Sequence, residues 1–135
     1  MQTPRIFFAP VSIPERAVRL LVENTDGGTP MQYLLLIYDD ETTWKNMDPA
    51  LGQAMMAEYF TFTENVKKAG NYVGGEALQP TRSATTVRVR DGKTMTTDGP
   101  FAETREQLGG YYLVEAKDLD EAIAIAAKIP SAKFG

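Results

Sequence analysis

The sequence contains no cysteine and no histidine. The first absence excludes disulfides and thiolate nucleophiles, and the second excludes histidine-based triads and dyads. Together they remove almost every side chain that binds zinc, copper or haem. Proton transfer in this chain falls to Asp, Glu, Lys, Tyr or the terminal amine. Any metal would be a hard ion held by oxygen, and no EF-hand or P-loop spacing is present, so neither a metal nor a cofactor is expected. A basic patch is also missing. The formal net charge is −4, and of the local concentration at Arg82, Arg88, Arg90 and Lys93 two alternate along an expected strand, as a solvated face does. A nucleic-acid partner is therefore not expected. No apolar run approaches the ~20 residues of a bilayer span. The stretch over 6–11 is broken by Pro10 with no cleavage-like site after it, so no signal peptide is read there. The expectation is a cytoplasmic protein without a membrane partner.

What is present is the composition of one globular domain: 135 residues, 43% hydrophobic and 24% charged. The first thirty residues read differently from the rest. Residues 5–9 suggest a short strand limited by Pro4 and Pro10. Ser12 and Glu15 have capping-box spacing for a helix over 13–23, and residues 24–30 read as a linker. Met31 follows directly, so residues 1–30 are expected to be an N-terminal extension and 31–135 the folded domain.

From Met31 the pattern is regular. Residues 33–38 form a continuous apolar run of strand length ending at Asp39-Asp40. Asp48 and Pro49 supply the cap and first residue of a long helix. Leu51, Met55, Tyr59, Phe62, Val66 and Ala69 form its apolar stripe, with Gly70 placed to end it. Met55 and Met56 are read as core. A second strand over 71–78 contains Gly74-Gly75, the mark of a bulge. Asp91-Gly92 joins two strands as a hairpin. Residues 101–107 are expected to form one helical turn, 110–116 a further strand, and Asp118 with Glu121 to cap a helix running to Ile129.

This order is that of an α+β, ferredoxin-like (split βαβ) fold: an antiparallel sheet with helices on one face. Either Leu34 and Leu36 or Leu35 and Ile37 must point to the uncovered face. A second copy packed sheet to sheet would cover it, giving a homodimeric α/β barrel.

The segment Asp98-Gly99-Pro100-Phe101-Ala102-Glu103-Thr104, continued by Arg105-Glu106-Gln107-Leu108-Gly109-Gly110-Tyr111-Tyr112, closely resembles the signature of the YCII-related, DGPF-motif family. The likeness extends back through residues 84–92, 74–80 and 31–38. It implies a ferredoxin-like domain that dimerises into an α/β barrel, in a superfamily that includes small lyases, isomerases and dehydrochlorinases of ring compounds. Some relatives carry a His–Asp pair, whose histidine this chain lacks. The resemblance also implies a regulatory link to sigma-factor-type protein partners. Family members continue into a final Val-rich strand, whereas this sequence stops at Lys133-Phe134-Gly135. The short strand over 5–9 is expected to fill some of that space, in its own subunit or its partner.

Within the signature, Asp98 is the leading candidate for a catalytic carboxylate, with Glu103 beside it as second acid. A strand-end carboxylate facing a pocket can be tuned toward a general-base role by burial. The competing reading is that Asp98 organises a turn while Pro100 fixes the backbone. Glu103 and Glu106 would share a helical face and raise each other's pKa, or be a solvated polar turn. Tyr38, Phe101, Glu106, Gly109 and Gly110 are expected to line a ligand pocket. The glycines would let a ligand approach the backbone, or simply ease entry into the strand. Tyr33, Tyr38, Tyr111 and Tyr112 are read mainly as packing residues, and Trp44 as a pocket rim or a cover for the helix start. Two classes of function follow. One is a small-molecule-binding or regulatory module, and the other is a small lyase- or isomerase-like enzyme using Asp98 as base on a ring or carbonyl compound.

Overall fold

The computed structural model describes residues 5–11, 30–100 and 102–134, with backbone alone for 5–11 and 134. The helix expected over 13–23, most of the linker and Phe101 lie outside the described residues.

Two structural units emerge. The larger is a four-stranded antiparallel sheet built from β1 (Arg5–Val11), β2 (Met31–Asp39), β3 (Tyr72–Ala77) and β6 (Gln107–Ala116), ordered β1-β2-β6-β3. The smaller is a separate two-stranded hairpin of β4 (Thr85–Arg90) and β5 (Lys93–Asp98). The helices are α1 (Glu41–Lys45), α2 (Pro49–Lys68) and α3 (Leu119–Ala126), with 3₁₀ turns at Thr81–Ser83 and Pro130–Phe134. β2 and β3 are joined through α2 with β6 between them, the split βαβ arrangement of a ferredoxin-like α+β fold. β1 pairs antiparallel with β2 from Arg5 opposite Tyr38 to Val11 opposite Gln32, and so occupies the edge where the fold takes its fourth strand. This strand passes through Pro10 rather than ending at it, a residue that edge strands tolerate.

Strand parity decides where the core sits. Along β2, Tyr33, Leu35 and Ile37 are buried while Leu34 and Leu36 are only half-buried. The buried set meets Phe62 and Val66 of α2, Val114 and Ala116 of β6, and Ala122, Ile125 and Ala126 of α3 in a single cluster. The ends of α2 follow from local chemistry. Asp48 accepts from the Ala50 N–H at 2.8 Å with Pro49 behind it. At the other end Gly70, at φ +80°, lets its own N–H reach the Lys67 carbonyl and that of Asn71 reach Val66, a Schellman stop. Asp118 caps α3 by accepting from the Glu121 N–H at 2.9 Å. The Glu121 carboxylate in turn accepts from the Asn71 amide at 2.8 Å, tying α3 to the start of β3.

Three expectations need correction. Met56 is not core: it is 62% exposed, and Leu51 is 54% exposed, because the stripe of α2 turns out of the core in its first half. The helix read to Ile129 is α-helical only to Ala126, after which Ile129, Pro130 and Ser131 are buried in a turn. The helical turn expected over 101–107 does not form among its described residues. Thr104 Oγ1 donates to the Glu106 carbonyl at 2.6 Å and the Gln107 amide donates to the Thr104 carbonyl. These local bonds offer the backbone an alternative to a helix.

Candidate functional site

β2 alternates in, out, in, out, and its last residue inherits the inward phase. Asp39 therefore points to the same side as Tyr33, Leu35 and Ile37 and is only 8% exposed. The next residue, Asp40, turns away and caps α1, accepting from the Thr42 N–H at 2.9 Å and hydroxyl at 2.7 Å. Adjacent aspartates thus meet opposite electrostatics. The bonds from Thr42 hold the Asp40 carboxyl below the usual range. Burial pushes Asp39 up, its hydrogen bond from Trp44 opposes that, and the negative charges of Glu41, Asp40 and Glu106 raise it further.

α1 exists in part to bring Trp44 back over Asp39. One turn after the strand, the indole Nε1–H donates to Asp39 Oδ2. The other oxygen, Oδ1, accepts no hydrogen bond among the described residues and lies against the bare Cα of Gly109. A Cβ at Gly109 would sit 3.0 Å from Oδ1. The register shift between Ile37 and Tyr38, where β2 meets β6, falls beside this contact.

Asp39 and Trp44 help to line a cleft of about 1160 Å³ between α2 and the sheet. Its wall is aromatic. Tyr112 meets Phe62 edge-on at 5.0 Å and Tyr72 at 6.5 Å between ring centroids. The Tyr112 hydroxyl donates to Thr63 Oγ1 at 2.9 Å, and Thr63 donates on to the Tyr59 carbonyl at 2.9 Å. Tyr59 shares a hydrogen bond with buried Ser131. Burial raises the pKa of both Tyr59 and Tyr112, so they act as neutral phenols. β3 approaches β6 closely along the floor. At Gly75 a Cβ would meet the Tyr111 carbonyl at 2.8 Å, and at Gly110 the Glu76 carbonyl at 2.9 Å, so glycine is what lets the two strands come this close.

The residues singled out from sequence fall in different places. Gly109 and Gly110 line the cleft, and Glu106 contributes to its field at Asp39. Tyr38 has the outward phase of β2, half-buried and across the sheet from Asp39. Asp98 and Glu103 are exposed, and neither lies in the cleft wall. From the turn of the signature it is Gly99 and Pro100, beside Asp98, that reach the cleft lining. Gly99, at φ +97°, donates to the Ala84 carbonyl at 2.7 Å and accepts from Thr86 Oγ1 at 2.9 Å. Asp98 itself pairs across the hairpin with Thr85. The missed residue is Asp39. The signal for it was parity: an acid two places beyond Ile37 continues the buried face.

Among the described residues no helix is long and apolar enough to cross a membrane. The chain is 35% identical over 102 residues, 76% of its own length and 82% of the relative's, to an uncharacterised protein of Rhizobium meliloti (strain 1021). The family model of the YCII-related domain matches residues 31–135. With most of its length so matched, this chain belongs to the YCII-related family.

Proposed function

We propose that this protein binds a small molecule in the cleft between α2 and the sheet, with Asp39 as the group that holds it and exchanges a proton with it. The observation that carries this reading is a buried carboxylate in the lining of an aromatic cleft, with one oxygen bonded to Trp44 and the other free of hydrogen bonds among the described residues. Burying a carboxylate without a cationic partner costs stability. Such an arrangement is what a binding or acid–base site needs and a purely structural one avoids.

The same geometry serves either class of protein. In a binding or regulatory module linked to a sigma-factor-type partner, occupancy of the cleft is the signal. In a lyase- or isomerase-like enzyme, Asp39 takes the base role that the sequence motif suggested for Asp98, because Asp39 is the buried acid among those that line the cleft. The sheet face away from the helices carries Leu34, Leu36 and Leu113 only half-buried. That supports a second copy packing there and leaves the cleft, on the opposite face, accessible in the dimer.

A thermal-shift screen of ring-containing metabolites tests the reading. Compounds that raise the melting temperature of the wild type are expected to lose their effect on Asp39→Asn and keep it on Asp98→Asn. Compounds that depend on Asp98 and not on Asp39 would overturn it.

A further inference from the structure

Of the charged residues that line the cleft, Asp39 is the buried one. The charged neighbours that act on it, Glu41, Asp40 and Glu106, are all negative. The cations of the wall, Lys45, Lys67 and Arg82, are exposed, and the wall also carries the acids Glu41, Glu64 and Glu76. Lys67 is already engaged, 3.6 Å from Glu64 and 5.1 Å above the Tyr72 ring. No group of three or more acidic side chains gathers so as to hold a metal ion among the described residues. The cleft therefore offers a buried carboxylate, one oxygen of which accepts no hydrogen bond among the described residues, with Trp44, Tyr59 and Tyr112 in the same lining.

We propose that the occupant is a small protonated amine carried on an apolar ring, its ammonium donating to Asp39 Oδ1 and its ring lying against the tyrosine wall. This rests on the cleft being the binding site and adds the charge of the ligand. An ammonium neutralises the buried carboxylate and replaces its lost hydration with a charge-assisted hydrogen bond. The indole and phenol faces add cation–π attraction. A carboxylate or phosphate would meet repulsion from the same groups, and a neutral ring would leave Asp39 unpaired.

Benzylamine, benzyl alcohol and benzoate share a ring and differ in charge at neutral pH. Their binding is read from the fluorescence of Trp44, the single tryptophan of the chain, in the wild type and in Asp39→Asn, whose folding is checked by circular dichroism. Benzylamine is expected to bind the wild type at least tenfold more tightly than benzyl alcohol, and benzoate most weakly. In Asp39→Asn the advantage of the amine is expected to vanish while benzyl alcohol binds as before. Equal binding of amine and alcohol to the wild type, or a preference for benzoate, overturns the assignment of charge and leaves the cleft in place. Failure of all three probes to perturb Trp44 overturns the cleft reading as well.

Discussion

Asp39 and Asp98 each close a β-strand, and the two strand ends have little else in common. β2 is an inner strand of the main sheet, so its alternate residues are packed by α2 and α3, and Asp39 inherits that burial. β5 belongs to a hairpin that, among the described residues, has no third strand and no helix over it. All six of its residues are exposed, and Val87 and Val89 opposite are 60% and 66% exposed. The same side chain is thus a desolvated acid in one place and a solvated one in the other. Residue type at a strand end says little about chemistry until the layer covering that strand is known.

The contrast is sharpest if the partner of Asp39 is removed. Trp44→Ala leaves a buried carboxylate without a donor, and should cost about 2–3 kcal/mol of stability at pH 7. Urea unfolding measures this directly, and a loss under about 0.5 kcal/mol would place the indole bond among ordinary surface contacts.

Removing the charge should act in the opposite direction. The pKa of Asp39 is raised above its unfolded value of 3.8, so the folded chain binds a proton more readily than the unfolded one. Stability is then greatest below the unfolded pKa and falls as pH rises toward the folded pKa, above which the cost is constant. Asp39→Asn keeps an acceptor for the indole and carries no charge. It should melt a few degrees higher than the wild type at pH 7, with the gain disappearing below about pH 4. A variant less stable than the wild type at neutral pH would contradict the burial argument.

Asp98→Asn should have the smallest effect. Its stability should stay within about 0.5 kcal/mol of the wild type at pH 7, because the turn beside it is held by Gly99, Ala84 and Thr86 rather than by the Asp98 carboxylate. A larger loss would show that Asp98 organises the turn.

Much of the scaffold was legible in the sequence because it depends on local rules. The caps at Asp48 and Asp118, the Gly70 stop, the Asp91-Gly92 hairpin and the irregularity at Gly74 all follow from neighbouring residues and appear as expected. The ferredoxin-like order followed from them. The hairpin's separation from the main sheet was not legible, since nothing in β4 or β5 says which strand they fail to pair with. The site was only half legible. Gly109 and Gly110 stood out as glycines at a strand, but the acid that Gly109 accommodates lies about seventy residues earlier in the chain. Trp44 was visible as a rim residue, whereas its bond to Asp39 depends on the length of α1. Met56 shows the reverse error: helical spacing continued past the point where the core ends.

The most direct test is the pH titration of the Trp44 indole N–H resonance, which reports the ionisation of the carboxylate it touches. The resonance should titrate with a midpoint above that of an ordinary aspartate. The inflection should vanish in Asp39→Asn and persist unchanged in Asp98→Asn. An indole resonance that does not titrate in the wild type, or that still titrates in Asp39→Asn, would contradict the placement of Asp39 at the centre of the site.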